Sequence, residues 1–401
     1  MTPQTATLRR TALFLAGGSV VAVLFSIAVS HILLGAALLT LLLSRERLSF
    51  PPVGIPLALF VGWTLLSLAM SPDPMLGLPQ LKKFYVYTVL LVVYTTFRGA
   101  EDVRRVAVAW ALIATASGAW GFVQFWTKRS EALSTGQDFY LHYVADRATG
   151  FMSHWMTFSA EQMMAGLLLG ALLLFGALRA WLWVCMAVIG GSIAIAWTRG
   201  VWIAALIAAV YLIAVWRPKL LFLAPVVLGA ALFIAPYSVQ KRAISIVRPH
   251  GETDSNTHRA ILFRTGLVMI REHPWFGVGP DMIKRDFMKY VPPDIPRPLP
   301  EGYYQHLHNF YLQYAADRGI PAVLALLWLI GRAIVDFAKA ARRLGAEDSL
   351  RRGVLHGCIA GIIAILAEGV FETNLGDSEV LTMFLAVIAA GYVTAREVKH
   401  A

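Results

Sequence analysis

The chain has 401 residues, of which 58% are hydrophobic and only 15% charged, with a mean hydropathy of +0.63. A soluble domain carries roughly a quarter charged residues, so this composition excludes an ordinary globular enzyme and predicts an all-α polytopic membrane protein. The net charge of +11 does not call for nucleic acid, because basic residues in the loops of such a protein set its topology.

Apolar blocks of about 17–25 residues, the length that crosses a bilayer as a helix, recur along the chain. Twelve spans are predicted, at about 12–28, 30–44, 53–70, 82–97, 104–126, 156–177, 181–197, 200–216, 219–236, 309–335, 353–371 and 378–395. A β-barrel would need short alternating strands, and blocks such as 204–215 do not alternate. The first block lacks a convincing cleavage site and reads as a retained anchor. Cys185 and Cys358 both lie inside apolar blocks and read as packing residues, with no CxxC metal site.

Lys and Arg fix the expected orientation. With the N-terminus inside, the inner loops hold Arg9 and Arg10, Arg45 and Arg47, Arg98 with Arg104 and Arg105, Arg179, Arg217 with Lys219, and a cluster from Arg332 to Arg352. Short outer loops such as 71–81 carry no Arg or Lys before Lys82. This is the positive-inside pattern, with both termini cytoplasmic. The chain reads as a single integral membrane domain over 1–401, with a smaller outer loop at 127–155 and a large one at 237–308.

The large loop departs from the charge rule. It holds ten Arg and Lys residues from Lys241 to Arg297, against seven acids that include Glu252, Asp254 and Glu301. Long loops escape the topology rule, but an anionic ligand at the outer face would explain the excess. Within it, 257–272 has helical periodicity, with Leu262, Phe263, Gly266, Leu267 and Ile270 as one stripe and Arg264 and Arg271 on the other face. His273-Pro274 ends the helix, and 292–300 is a proline-rich extended connector that leads to His306 and His308.

Each polar feature has a structural and a chemical reading. Asn309 suits a helix N-cap, with the two histidines as interfacial polar residues; alternatively His308 takes a proton from an attacking hydroxyl. Arg199, in Trp197-Thr198-Arg199-Gly200 at an outer span end, is either a snorkelling anchor or a fork for phosphate oxygens. Arg264 and Arg271 are either surface charges on a membrane-lying helix or part of the same anion site. Arg147, Lys82 and Lys83 are further outer-face cations. Glu161, Asp317, Glu368 and Glu372 are acids near outer span ends, where ionisable groups suggest function. DxD, HExxH, GxSxG and P-loop motifs are all missing from the sequence, which argues against a metal-dependent nucleotide-sugar enzyme and against an ATPase.

Three short pieces in order carry a resemblance: Thr198-Arg199-Gly200; Arg264 followed by Glu272-His273-Pro274-Trp275-Phe276-Gly277-Val278-Gly279; and His308-Asn309-Phe310-Tyr311-Leu312 with Gly319. Together with the hydropathy plan they resemble the O-antigen ligase/polymerase superfamily. The resemblance implies a metal-independent, inverting glycosyltransferase of the GT-C type, without cofactor. It would lie in a bacterial inner membrane with a periplasmic site. Its substrates would be an undecaprenyl-diphosphate-linked glycan donor and a lipid A–core acceptor, with membrane lipids around it. His308, supported by His306, would be catalytic. Arg199 and Arg264, with Arg271, Arg147 and Lys82, would bind the donor diphosphate. A polymerase on the same donor is the nearest alternative. A transporter, the alternative of another class, would show repeat symmetry and interrupted spans, whereas here the polar residues gather in one outer loop.

Overall fold

The computed structural model describes residues 3–235, 237–246, 255–300 and 302–400. Arg248, Glu252, Asp254 and Glu301 of the large loop lie outside them. The described residues are helical, with no strand among them. The helices are α1 (Pro3–Ala22), α2 (Ile27–Ser44), α3 (Gly54–Met70), α4 (Pro74–Gly77), α5 (Thr88–Thr96), α6 (Ala100–Ser134), α7 (Phe139–Ala145), α8 (Trp155–Leu174) and α9 (Trp183–Ile195). There follow α10 (Arg199–Trp216), α11 (Ala224–Ile234), α12 (Tyr237–Ile244), α13 (Ser255–Glu272), α14 (Ile283–Tyr290), α15 (Phe310–Arg318), α16 (Ile320–Ala341), α17 (Ser349–Glu368) and α18 (Ser378–His400).

Among the described residues, eight helical stretches are long and apolar enough to cross a membrane, and three more are apolar but shorter: Gly54–Met70, Ala180–Ile195 and Pro218–Ile234. The chain is therefore a polytopic α-helical membrane protein, while twelve full-length spans are not reached by that measure. One expected span is divided in two. The block 309–335 breaks at Gly319, which has φ +85° and separates α15 from α16.

Apolarity on every side buries a helix in the middle of a bundle. Accordingly α8, with 94% of its apolar window buried, and α18, with 89%, form the centre, and α17 packs on both. Small residues let helices approach closely in a membrane. A Cβ at Gly357 would lie 2.8 Å from Leu168 Cδ1 of α8, so α17 sits on α8 without side-chain spacers. Helix α6 runs for 35 residues, about 50 Å at 1.5 Å per residue. That exceeds the ~30 Å hydrocarbon core, and beyond it α7 packs back, with Tyr143 buried against Phe125 and Trp197.

The described residues of the large loop from Ser255 onward form a cap with its own apolar core. Ile261, Leu262 and Met269 of α13 pack with Ile283 and Phe287 of α14 and with Leu307, Leu312 and Ala316. The buried face of α13 is thus Ile261, Leu262, Thr265, Gly266 and Met269, rotated from the expected stripe, and Phe263 is exposed. The segment after α13 is clamped to the α15–α16 break by backbone hydrogen bonds. Val278 N donates to Ala316 O (2.7 Å), Gly279 N to Asp317 O (3.0 Å) and Ile320 N to Pro274 O (2.9 Å). Close backbone approach explains the glycines here. A Cβ at Gly319 would stand 1.8 Å from Trp275 O, and one at Gly277, itself at φ +67°, 2.4 Å from the Asp317 carbonyl carbon. The Pro274–Gly279 motif therefore acts by fastening the cap to the bundle.

Candidate active site

The clamp fixes α15, and α15 fixes His308. Asn309 is the N-cap: its side chain accepts from Leu312 N at 2.9 Å and its amide donates to Val370 O at 3.0 Å. Phe310 N donates to Gly369 O (2.9 Å) and Glu372 O (3.1 Å). The start of α15 is thereby sewn to the turn that follows α17. Between the cap and the loop, His308 adopts φ +47°. A left-handed non-glycine residue costs about 1–3 kcal/mol and persists only where its surroundings impose it.

That backbone brings the imidazole to Glu372. His308 Nδ1 lies 2.6 Å from Oε1 and 3.1 Å from Oε2. Burial pushes the Glu372 carboxyl up, but the His308 hydrogen bond and the charges of His308 and Arg259 outweigh it and hold the group below the usual glutamate value. Arg259 stands 3.9 Å from the carboxylate. With Nδ1 donating to the ionised Glu372, Nε2 is the ring nitrogen left to take a further proton.

Two more histidines flank this pair. His306 Nδ1 accepts from the His308 backbone N–H at 3.3 Å, and its ring centroid is 4.0 Å from that of His308. Burial, reinforced by the nearby His308, lowers His306 to about 4, so it is neutral at pH 7. His258 contacts Tyr303 O at 2.9 Å and its ring lies 5.8 Å from that of His308; burial and His308 hold it below the usual histidine value.

On one side of the dyad is a cavity of about 140 Å³ lined by Arg147, Arg199, Arg242, Arg259, His258 and His308, with Glu372 at its edge. Each arginine comes from a different element. Arg199 opens α10 after the N-cap Thr198 and donates to Ser245 O at 2.8 Å. Arg242, on α12, donates to Trp197 O at 3.1 Å. Arg259 is on α13. Arg147 follows α7, is 8% exposed, donates to Val144 O at 3.3 Å and lies over the Trp155 ring at 5.1 Å. Burial, with the charge of Arg242 second, lowers Arg147 to about 9, which leaves it a cation at pH 7. Gly200 also lines the cavity, so the N-terminus of an 18-residue helix adds its dipole to the four guanidinium groups. Together they form a strong anion site.

On the other side is a polar cavity of about 510 Å³. His306 lines it, and it shares Met156, Glu368 and Glu372 with the arginine cavity. Glu372 borders both cavities, while His308 lines the arginine cavity and His306 the larger one.

The structure brings together His308, His306, Arg199 and Arg147 from the sequence expectations. It does not bring Arg264, Arg271 or Lys82 to either cavity. Arg264 is on the outward face of α13, paired with Asp294 at 2.7 Å with both side chains half exposed. Arg271 and Lys82 are exposed. Lys83, the next residue, lines the larger cavity and donates to Gly376 O at 2.6 Å. Three residues were not singled out for this role by the sequence. Arg242 and Arg259 were two loop cations among ten, and Glu372 was visible as an acid at a span end but not as the partner of His308.

His306, His308 and Glu372 offer ligand atoms within 4.8 Å of one another, a spacing that suits a metal ion. Arg259 beside Glu372 disfavours a cation there, and the Nδ1–carboxylate contact already uses the two groups on each other.

A histidine hydrogen-bonded to a carboxylate thus stands beside a pocket lined by four arginines in a polytopic membrane protein. Residues 184–327, which contain Arg199, Arg242, Arg259 and His308, match the family model described as O-Antigen ligase, and the match supports membership of the O-antigen ligase superfamily. Among curated proteins no match to the chain was found.

Proposed function

We propose that the protein is an O-antigen ligase that moves a polysaccharide from undecaprenyl diphosphate to a sugar hydroxyl of lipid A–core at the periplasmic face of a bacterial inner membrane. The observation that carries this reading is the His308–Glu372 dyad set against four arginines. The donor diphosphate occupies the arginine cavity and the acceptor glycan enters the larger one. The acceptor hydroxyl attacks the anomeric carbon from the side opposite the diphosphate, so configuration inverts. As the new C–O bond forms, the proton passes to His308 Nε2. The bond from the anomeric carbon to the diphosphate oxygen breaks, and undecaprenyl diphosphate leaves with the electron pair.

Negative charge grows on the leaving diphosphate, and preorganised guanidinium groups stabilise it most where water is excluded. Arg147, held in its pocket before any ligand arrives, suits that task. Glu372 stabilises the imidazolium that forms on His308. His306 is a positioning residue: its ring takes the His308 backbone N–H and supports the left-handed turn. The guanidinium groups supply the charge compensation that a metal ion would otherwise provide, in keeping with a metal-independent GT-C-type enzyme.

Transfer by purified protein from undecaprenyl-diphosphate-linked glycan to lipid A–core tests the proposal, and sugar-bearing lipid A–core is the expected product. A longer glycan on undecaprenyl diphosphate would instead identify a polymerase working with the same dyad. Undiminished transfer in excess chelator is expected, and loss of activity that added metal restores would overturn the metal-free step.

A further inference from the structure

The larger cavity contains a second built feature that the transfer step does not use. Asp317 and Arg318, the last two residues of α15, are 5% and 6% exposed, yet both line it. Asp317 Oδ2 accepts from Gln313 Nε2 at 2.8 Å, while Oδ1 has no hydrogen-bond partner, and neither do Arg318 Nε and Nη1. Buried polar atoms are ordinarily satisfied, and an orphan calls for an explanation. Here one carboxylate acceptor and two guanidinium donors stand unsatisfied on consecutive residues beside a cavity. The Arg318 guanidinium rests 4.3 Å above the Tyr314 ring, which limits how it can turn.

We propose that Asp317 and Arg318 bind a sugar ring of the acceptor through neighbouring hydroxyl groups. The proposal rests on the reading of this site as one of glycosyl transfer. A hydroxyl both donates and accepts, so two adjacent hydroxyls can give a proton to Asp317 Oδ1 and accept from Arg318 at once. The groups around them suit a neutral polyhydroxyl ring better than the arginine cavity does. Asp281, Asp317, Glu368, Glu372, Asp377 and Glu379 line this cavity, against the cations Lys83, Lys284 and Arg318. The arginine cavity across the dyad has the opposite balance. Phosphate therefore partitions to one side and a neutral polyhydroxyl ring to the other. Gln313 links the subsite to the chemistry, since its Oε1 accepts from Leu307 N at 2.8 Å while its amide holds Asp317. One side chain thus ties the acceptor subsite to the residue before His308.

The test is equilibrium binding of two probes, lipid A–core and undecaprenyl diphosphate, to the purified full-length protein and to Asp317→Asn, Arg318→Lys and Arg259→Ala. Asp317→Asn and Arg318→Lys should weaken lipid A–core about tenfold or more, as expected for a lost charge-assisted hydrogen bond, and leave undecaprenyl diphosphate within twofold. Arg259→Ala should do the reverse. Thermal unfolding separates this from a structural role: the asparagine of Asp317→Asn keeps the side-chain shape and an oxygen that can accept from Gln313, so the Tm of this variant should stay close to wild type. Lipid A–core affinity within twofold of wild type in both variants would overturn the proposal. So would equal weakening of both probes, or wild type that binds undecaprenyl diphosphate but not lipid A–core. Wild type that binds lipid A–core in an Asp317-dependent manner yet transfers nothing would uphold the subsite and reject the ligase reading.

Discussion

Replacing Glu372 by Gln keeps the shape of the side chain and removes its charge, so it isolates what the carboxylate does for His308. The contact is short, 2.6 Å to Oε1, and both side chains are largely shielded, at 15% and 13% exposure. A hydrogen bond to a charged group is worth about 1.5–3 kcal/mol against about 0.5–1.5 for a neutral one. When His308 takes the acceptor proton, an imidazolium stands beside the carboxylate. Two unit charges about 4 Å apart interact by about 4 kcal/mol at the effective dielectric of such sites. The loss in the transition state is therefore about 2–4 kcal/mol, a fall in kcat of about 30- to 1,000-fold. The assay is single-turnover transfer with donor binding measured in parallel. Undecaprenyl diphosphate affinity should hold or improve, because a negative charge 3.9 Å from Arg259 has gone. A kcat within threefold of wild type, or an effect confined to donor affinity, would refute the dyad.

The other expectations follow from the same geometry. Arg199→Ala and Arg259→Ala should each lower transfer by about a hundredfold or more in kcat/KM, the scale of a lost transition-state charge contact. Arg264→Ala and Arg271→Ala should stay within about threefold, since an exposed ion pair contributes at most about 1 kcal/mol; the same transfer assay ranks all four. Gly319→Ala should unfold several degrees lower or fail to accumulate, because its Cβ would collide with Trp275 O at a left-handed φ, which thermal unfolding in detergent reports. His306 titrates at about 4 when folded and near 6.5 when unfolded, so between those values the unfolded chain binds more protons and stability falls as pH falls. The full effect is about 3 kcal/mol, and His306→Gln should lose correspondingly less Tm between pH 6.5 and 4 than wild type.

Much of this was legible in the sequence, and the gaps have physical causes. Apolar block length located the helices, and the change from a polar loop to an apolar run located His308. Arg199 was conspicuous because most short outer loops lack basic residues, whereas Arg147 stood only among several further outer-face cations, with Lys82 and Lys83. The break at Gly319 was hidden because apolar residues run through it; only the close approach of Trp275 O shows why glycine is required there. On α13, Arg259 and Arg264 are five residues apart, about 140° around a helix at 100° per residue. Without the position of α15, whose Leu312 meets Gly266, nothing says which face looks inward. The 3₁₀ geometry of Leu78–Tyr85 likewise decides for Lys83 over Lys82. The partnership of His308 with Glu372 spans 64 residues and exists only because Phe310 N and Asn309 are sewn to the turn after α17.

The most direct test of the central claim pairs transfer with donor binding in purified His308→Ala. Wild type should place donor glycan on lipid A–core and release undecaprenyl diphosphate, while His308→Ala should bind the lipid-linked donor as tightly as wild type and transfer at least a hundredfold more slowly. Transfer by His308→Ala at the wild-type rate, or its failure through lost donor binding alone, would contradict the account.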